Sequence, residues 1–449
     1  MGAGEVGYNI AKRLSSENKQ VVVIDQDSDA CRHISEDLDV QVITGSGSSP
    51  AILLEAGIKD TDILLAVTDS DEINLVACLV TNLLSPTTKK LARIRDSDFD
   101  AYHDSFKNQI PHIDTVINPE IEVVNTIRKL MDVPDAQDIG YFADGKVKYV
   151  GLRLKKKSPI AGMRLIDFHD NFGEDRPLIA AIIRNNEVIV PRGSHRIEAE
   201  DLVYFVCEAE KLEKTLKLFG IQQQTIQNAL IIGGGRIGAR LAKLLEQDGI
   251  KTKIIEASLQ RCHTLSEQMD KTVILHGDAS DQKLFLEENV GQSDVVVCVT
   301  NDDETNILVS LLAKSLGVRN AVTRIGKASY YPLLATIGIE KVVSPRLSAV
   351  SSILKDVRQG NVLSDISILG ERGEFIEAIA METSDITDKP LRKISFPKGA
   401  ILVSIMRNGQ VMIPSGLSVV TPGDRLIFFA IKQAVKKLEK MLTVKLDFF

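Results

Sequence analysis

The 449-residue sequence contains no tryptophan, and aromatic residues make up only 5% of it. A membrane aromatic belt or a base-stacking surface for nucleic acid would therefore have few residues to be built from. The sequence also has no excess of basic residues, because it contains 54 lysines and arginines and 61 acidic residues, a net charge of −7. Binding to a phosphate backbone needs a basic excess, so no nucleic acid partner is expected.

Cysteine clusters and long apolar runs are missing as well. The five cysteines include no C-x-x-C pair, and the seven histidines form no H-x-x-x-H pattern. We expect buried, unreactive thiols in a reducing cytoplasm, and no metal site is predicted. No signal-peptide pattern is found, and apolar runs such as DILLAV fall short of the about 20 residues that a membrane-spanning helix needs. These features predict a soluble, cytoplasmic protein.

What the sequence does contain is a long internal repeat. Gly2 and Gly233 are 231 residues apart (233 − 2), and Thr68 and Thr300 are 232 apart (300 − 68). Each half opens with short β-branched runs separated by amphipathic segments, such as TKIIE, TVILHG, DVVVCVT and NAVTRI in the second half. This alternation predicts βαβ units and hence an α/β fold with a Rossmann-like, doubly wound parallel sheet in each half.

A second kind of segment follows each predicted sheet. Asn118 and Ser344, each followed by proline, predict helix starts. The later stretches AAIIRNNEVIVP and VSIMRNGQVMIP each predict a β-hairpin, followed by one more strand and a closing helix, which make a small α+β lobe. The predicted domains are N-lobe 1 (residues 1–135), C-lobe 1 (136–224), N-lobe 2 (225–361) and C-lobe 2 (362–449).

A G-x-G-x-x-G loop stands near the start of each half. In the second half Gly233, Gly235 and Gly238 follow the predicted strand ALII, and Glu256 comes 18 residues after Gly238 (256 − 238). Such glycines permit a tight turn, close approach of backbone N–H groups to a pyrophosphate, and packing of the following helix, while the acid accepts hydrogen bonds from a ribose. A nucleotide site is predicted here, with a degenerate structural turn as the alternative.

The loop of the first half has the same glycines, Gly2, Gly4 and Gly7, and Asp25 at the same spacing, but only Met1 precedes it. The first strand of such a sheet is central, so its absence should destabilise the lobe. The simplest explanation is that about five residues, one strand, are missing from the start. We expect the first site to be weaker than the second.

The residues that follow the two acids bear on the type of nucleotide. Gln26 follows Asp25 and Ala257 follows Glu256, so a 2′-phosphate would face a carboxylate with no adjacent cation, which argues against NADP. NAD, ATP and ADP all remain open, because they share the ribose. Arg236 stands in the second loop where the first has Glu5, which suggests that the second half accepts ATP or ADP more readily; alternatively, both side chains point to solvent.

With two nucleotide lobes, two small lobes and no catalytic set of residues, the chain resembles the RCK (KTN) family of regulatory subunits that control potassium conductance. The resemblance covers essentially the whole chain, and its most specific feature is the tandem order of the lobes. It implies nucleotide contacts in the second half at Gly233, Gly235, Arg236, Ile237, Gly238, Glu256, Asp278, Thr300 and Arg324. In the first half the matching positions are Gly2, Gly4, Glu5, Val6, Gly7, Asp25, Thr68 and Arg93, while Ser46 replaces the aspartate.

The resemblance further implies a non-catalytic subunit that binds NAD(H), with ATP or ADP as further ligands. It implies a homo-oligomer, a tetramer, that is peripheral on the inner face of the cell membrane and gates a Trk-type potassium-translocating membrane subunit. The alternative is an NAD-dependent oxidoreductase with a duplicated cofactor domain, although the small lobes show no general base or substrate-orienting set. The C-lobes could also bind a separate effector, such as a cyclic dinucleotide, but their apolar hairpins favour a core or a dimer seam.

Overall fold

The computed structural model describes residues 1–16, 19–173, 176–185, 187–222, 225–334, 336–357, 362–368 and 372–442. Two compact units divide the chain. The first consists of Met1–Val123 with Ser344–Val357, and the second of Val124–Val343 with Arg358–Phe449. None of the helices in these described ranges is long and apolar enough to cross a membrane.

The first nucleotide-type lobe has two small parallel sheets. Its strands are β1 (Val22–Asp25), β2 (Gln41–Thr44), β3 (Ile63–Ala66), β4 (Lys89–Arg93) and β5 (Thr115–Ile117). Its helices are α1 (Glu5–Ser16), α2 (Ser28–Asp37), α3 (Pro50–Glu55), α4 (Asp71–Leu84) and α5 (His103–Asn108). β1 pairs with β2, and β3, β4 and β5 form a separate sheet in that order.

The position between β1 and β3 is held by Met1 and Gly2 alone. The Met1 amino group donates to the Leu65 carbonyl at 2.9 Å, and the Met1 carbonyl accepts from the Val67 N–H at 3.1 Å. On the other side the Gly2 N–H donates to the Ile24 carbonyl at 2.9 Å. The backbone of these two residues therefore connects the two sheets by hydrogen bonds where the glycine loop begins.

The first small lobe is an antiparallel sheet that follows helix α6 (Pro119–Asp132), which starts in the first unit and continues in the second. Its strands are β6 (Ala136–Phe142), β7 (Val147–Arg153), β8 (Leu178–Arg184), β9 (Glu187–Ile189) and β10 (Leu202–Glu208), in the order β6-β7-β10-β8-β9. Its helices are α7 (Phe168–Phe172) and α8 (Leu212–Leu218).

The second nucleotide-type lobe has one complete sheet. Its strands are β11 (Asn228–Ile232), β12 (Lys251–Glu256), β13 (Val273–His276), β14 (Val295–Cys298), β15 (Asn320–Arg324) and β16 (Lys341–Val343). Its helices are α9 (Arg236–Gln247), α10 (Leu259–Gln268), α11 (Gln282–Glu287), α12 (Asp303–Ser315) and α13 (Tyr331–Leu334). All strands are parallel in the order β13-β12-β11-β14-β15-β16, which confirms the predicted doubly wound sheet.

Helix α14 (Pro345–Val357) follows the second sheet along the chain, before the predicted end of N-lobe 2 at residue 361. The structure groups this helix with the first unit. Its Val350, Ile353 and Leu354 share a buried cluster with Ile10 and Leu14 of α1, so apolar burial fixes it there. The lobe boundaries themselves stay predictions, and two of the residues that flank them, 224 and 361, lie outside the described residues.

The second small lobe repeats the first. Its strands are β17 (Val362–Ile368), β18 (Gly373–Ile379), β19 (Ala400–Arg407), β20 (Gln410–Met412) and β21 (Arg425–Ile431), in the order β17-β18-β21-β19-β20, and α15 (Lys432–Leu442) closes it. The predicted hairpins are confirmed as β8–β9 and β19–β20. Asn408 and Gly409 both have positive φ, 50° and 78°, as the tight turn of such a hairpin requires.

The two small lobes bury one shared aromatic core. Tyr149 of the first stacks on Phe375 of the second, with ring centroids 4.7 Å apart, and Phe142 and Phe429 contact the same Phe375 ring. The hairpins of both small lobes therefore contribute to a buried core, one of the two uses predicted for them, while a dimer seam stays a prediction. The strand pairs β6–β7 and β17–β18, which form part of this core, were not predicted from the sequence.

Candidate functional site

The second glycine loop has the geometry of an anion-binding turn. Gly233 has φ +99°, which only glycine adopts readily, and its N–H donates to the Ile255 carbonyl at 2.9 Å. A Cβ at Gly238 would lie 2.0 Å from the Gly233 carbonyl oxygen, so α9 packs on the loop only without a side chain there. A Cβ at Gly235 would meet nothing within 4 Å. Gly235 caps α9 without a side chain, so the first N–H groups of the helix are available to a ligand.

Glu256 ties this loop to the end of β12. One carboxylate oxygen accepts from the Gly234 N–H at 2.7 Å and the other from the Ser258 N–H at 2.8 Å. Sequence reasoning missed Arg261 of α10, whose Nε donates to the Gly234 carbonyl at 2.9 Å. Arg261 gave no signal in the repeat, because the equivalent residue of the first half is Ala30. The acid and this arginine together fix the outer side of the loop.

Thr300 and Arg324 meet at the carboxyl edge of the sheet through a residue that was not predicted to be in the site. The side-chain oxygen of Asn306 accepts from the Thr300 N–H at 3.0 Å and from its hydroxyl at 2.8 Å. The Asn306 amide donates to the carbonyls of Thr300 and Arg324, both at 3.1 Å. The Arg324 guanidinium donates to the Thr300 carbonyl and, at 3.2 Å, to Asn301. The exact repeat of Asn306 at Asn74 was the available signal.

Asp278 lies exposed in the turn after β13. Its carboxylate accepts from the N–H and the hydroxyl of Ser280, both at 2.8 Å. These hydrogen bonds, the backbone one foremost, lower the pKa of Asp278, which keeps it a carboxylate at neutral pH. The structure thus places an anionic acceptor at the end of the strand next to the one that carries Glu256.

The first glycine loop has the same local geometry as the second. Gly2 has φ +94°, and a Cβ at Gly7 would lie 1.8 Å from the Gly2 carbonyl oxygen, whereas one at Gly4 would meet nothing within 4 Å. The Asp25 carboxylate accepts from the Ala3 N–H at 2.5 Å, as Glu256 does from Gly234. The glycine conformation and the acid-to-loop hydrogen bond of the second half are therefore repeated in the first.

The carboxyl edge is also repeated in the first half. Asn74 accepts from the N–H and hydroxyl of Thr68 and donates to the carbonyls of Thr68 and Arg93. The Arg93 guanidinium donates to the Thr68 carbonyl at 2.6 Å and to Asp69 at 2.7 Å. All residues that the sequence matched across the repeat at this edge therefore come together in both lobes.

The turn after β2 in the first half differs from the equivalent turn after β13 in the second half. Ser46, which stands in the place of Asp278, shares a 2.9 Å hydrogen bond with the hydroxyl of Ser48 and offers no carboxylate. The Met1 side chain occupies this turn, since a Cβ at Gly47 would lie 2.2 Å from the Met1 methyl carbon. Both features make the first site less polar than the second.

The sequence predicts a negative charge in the first loop at Glu5 and a positive charge in the second at Arg236. Glu5 lies 3.4 Å from Arg346 of α14, so its carboxylate already has a cation beside it and the first loop is not simply negative. Arg236 is exposed at the start of α9. Ile237 is buried, and Val6 packs against a buried cluster, so both can offer a ligand only their backbone groups.

The two glycine loops, each at the carboxyl edge of a parallel sheet and each followed by an antiparallel lobe, define a tandem dinucleotide-fold protein of the RCK type. The TrkA-N domain family matches residues 1–119 and 229–345, and the TrkA-C domain family matches residues 149–220 and 375–443. The Trk system potassium uptake protein TrkA of Azorhizobium caulinodans is 36% identical over 452 residues, which cover 100% of this chain and 99% of that protein. The TrkA of Halomonas elongata is 35% identical over 453 residues, again 100% of this chain and 99% of that protein. The chain belongs to the TrkA family of Trk potassium uptake proteins.

Solved structures show the same fold. The GsuK RCK domain superposes with a TM-score of 0.60 at 18% identity, covering 98% of this chain and 93% of that chain. The GsuK channel bound to NAD gives a TM-score of 0.59 at 18% identity, covering 98% of this chain and 77% of that chain. The predicted RCK-like α/β class is confirmed.

Proposed function

We propose that this chain is a nucleotide-sensing, non-catalytic regulatory subunit that binds NAD(H), and ATP or ADP, and gates the membrane subunit of a Trk-type potassium uptake system. The observation that carries the proposal is the second glycine loop, where uncapped helix N–H groups, an open Gly235 and the Glu256 carboxylate lie together. Membership in the TrkA family and the likeness to the GsuK channel bound to NAD support it.

The proposed binding mode follows from those contacts. The pyrophosphate would lie over Gly235 and the start of α9, where the helix dipole favours negative charge. Glu256 would accept from the ribose hydroxyls, and Asp278 would lie toward the adenine end. Thr300 and Arg324 would close the site at the end of the next strands. In the first lobe Asp25, Thr68 and Arg93 take the same roles, with Arg346 as an added cation.

Gating requires that the nucleotide bind one conformation of the protein more tightly than another, because a ligand with equal affinity for both conformations leaves their equilibrium unchanged. The first loop is well placed for this, since its anion site is the start of α1 and α14 packs along α1 through Ile10, Leu14 and Val350. The chain continues from α14 into C-lobe 2. A ligand that moves α1 would therefore pull on the segment that leads to the second small lobe.

Assembly on the inner membrane face is the second part of the proposal. Both nucleotide lobes expose apolar side chains at equivalent positions, since Leu54 and Leu286 on one helix and Val76 and Leu308 on the next are each 44–64% exposed. Repeated exposed apolar patches are typical of subunit interfaces, and a homo-tetramer docked on the translocating subunit would cover them. Sedimentation equilibrium of the intact chain tests this, and a monomer at micromolar concentration would contradict it.

The decisive experiment is calorimetric titration of NADH into the intact protein, with stoichiometry and affinity as readouts. Glu256→Gln should weaken the second site about tenfold or more, because it removes a charged acceptor worth about 1.5–3 kcal/mol. Asp25→Asn should do the same to the first site. Glu287→Gln is the matched control, since Glu287 is an exposed acid of the same lobe that pairs with Lys283 at the protein surface. Absence of saturable binding in wild type would refute the proposal.

The oxidoreductase alternative is tested with the same samples. NADH absorbance at 340 nm is followed with a panel of carbonyl substrates. Sustained consumption of NADH that Glu256→Gln abolishes would identify an enzyme and overturn the regulatory proposal.

A further inference from the structure

A small polar cavity lies within the second unit, away from both glycine loops. It has a volume of about 230 Å³ and is bounded by three parts of the chain. Pro134 and Asp135 come from the segment after α6, Lys155 and Gln222 from C-lobe 1, and Arg319 from the turn before β15. We call it the junction cavity, because each of these parts belongs to a different element of the fold.

A buried lysine holds two of the walls together. Lys341 of β16 is only 7% exposed, and its ammonium group donates to the Pro134 carbonyl and, at 2.9 Å, to the Asn320 side-chain oxygen. Pro134 and Asn320 both line the cavity. Burial lowers the pKa of Lys341 to about 8, so at neutral pH it is still mostly a cation beneath this surface.

The charges around the cavity do not cancel. Lys155 pairs with Asp135 at 3.0 Å, and Arg153, just outside, pairs with Glu340 at 3.5 Å. Lys341 and Arg319 are two further cations in this region, and neither belongs to these two ion pairs. Arg319 is exposed and has no ion-pair partner in the part of the chain that the structure describes. The charged residues that line the junction cavity are Asp135, Lys155 and Arg319, a net charge of +1, and the buried Lys341 ammonium adds a second positive charge behind Pro134 and Asn320.

We propose that the junction cavity binds a small oxyanion, such as phosphate or a compact polycarboxylate. The volume is below the about 300–1,000 Å³ of pockets that take drug-sized ligands, so a dinucleotide is too large. The Arg319 guanidinium and the Lys155 ammonium, which both line the cavity, match the oxygens of such an anion. The site is separate from the proposed nucleotide site, because Asn320 begins β15 whereas Arg324 ends it.

An occupied junction cavity would join C-lobe 1 to N-lobe 2. The anion would contact Lys155 on one lobe and Arg319 on the other, with Pro134 between them on the connecting segment. Its binding would therefore stabilise the second unit against separation of these lobes. This inference goes beyond the proposed function and does not depend on nucleotide binding.

The test is calorimetry and thermal unfolding of the intact chain with inorganic phosphate in one arm and citrate in the other, both in the presence of excess NADH. Arg319→Gln should weaken binding about tenfold or more, as expected for one lost charge-assisted contact. Because Arg319 is on the surface, its replacement should leave the fold intact, whereas Lys341 is too buried to carry the test. Lys253→Gln is the control, since Lys253 pairs with Glu288 elsewhere in the same lobe.

The arms distinguish the ligand chemistries. Saturable binding of one anion that Arg319→Gln weakens and Lys253→Gln does not supports the site and shows which oxyanion it prefers. Binding that Arg319→Gln leaves unchanged would lie outside the junction cavity and would overturn the inference. No saturable binding of either anion would overturn it as well.

Discussion

Gly235 and Gly238 stand in the same loop, yet the structure predicts opposite consequences for adding one methyl group to each. A Cβ at Gly238 would lie 2.0 Å from the Gly233 carbonyl oxygen, which is far inside van der Waals contact and belongs to backbone that cannot rotate away. A Cβ at Gly235 would meet nothing within 4 Å, and φ at Gly235 is −63°, which alanine adopts freely. Gly238→Ala should therefore damage the fold, and Gly235→Ala should damage only the ligand site.

The magnitudes follow from these contacts. Overpacking in a tight site costs about 1–3 kcal/mol, and a clash with rigid backbone places Gly238→Ala at the upper end or beyond. For Gly235→Ala the reduced entropy of the unfolded chain favours folding by about 0.4–1 kcal/mol. The poorer helix cap that alanine makes offsets a similar amount, so the net change in unfolding free energy should stay within about 1 kcal/mol. The added methyl would nevertheless stand between the backbone N–H groups and a pyrophosphate.

Urea unfolding and NADH calorimetry on both variants are the assay. We expect Gly238→Ala to lower the unfolding midpoint clearly, and Gly235→Ala to keep it but to bind NADH at least about tenfold more weakly at the second site. Gly7→Ala and Gly4→Ala repeat the comparison in the first half, where the corresponding distance is 1.8 Å and the corresponding space is again empty. Wild-type NADH affinity in Gly235→Ala would refute the idea that the ligand approaches this backbone. An unchanged midpoint in Gly238→Ala would refute the packing of α9 on the loop.

Two further predictions concern buried polar groups. Asn306→Ala should lower the unfolding free energy by about 2–4 kcal/mol, because four hydrogen bonds to Thr300 and Arg324 are lost. Asn301→Ala is the control, and it should lower the unfolding free energy by under about 1 kcal/mol, because it loses one exposed contact at 3.2 Å. Equal urea midpoints for the two variants would contradict this expectation. Burial raises the pKa of Asp138 to about 6, against hydrogen bonds from Tyr149 and Tyr204, so between about pH 4 and 6 the folded state holds a proton that the unfolded state has lost. This contribution to stability decreases between about pH 4 and 6 and is lost as pH rises through 6, so Asp138→Asn should flatten the fall in urea midpoint over that range; an unchanged pH profile would count against a raised pKa.

Local patterns in the sequence were enough for the nucleotide lobes. The glycine spacing, the acids Asp25 and Glu256, and the repeated Thr68 and Thr300 all lie where the pattern placed them, because parallel strands bring their carboxyl ends to one edge. The strands β6 and β17 were not predicted, since both have weak alternation and contribute to the aromatic core around Phe375 that the two small lobes share. Arg261 and Arg346 were missed because they come from helices whose approach to the loops depends on tertiary packing.

The sequence by itself determined the repeat, the class of each lobe and the residues of both glycine loops, because each depends on spacing along a single strand–loop–helix segment. Only the tertiary structure decided that α14 packs on α1 of the other half, that Glu5 lies beside Arg346, and that Lys341 holds the junction cavity. These contacts join residues more than 200 positions apart. They are set by which apolar faces are left to be buried once each lobe has formed, and no local pattern records that choice.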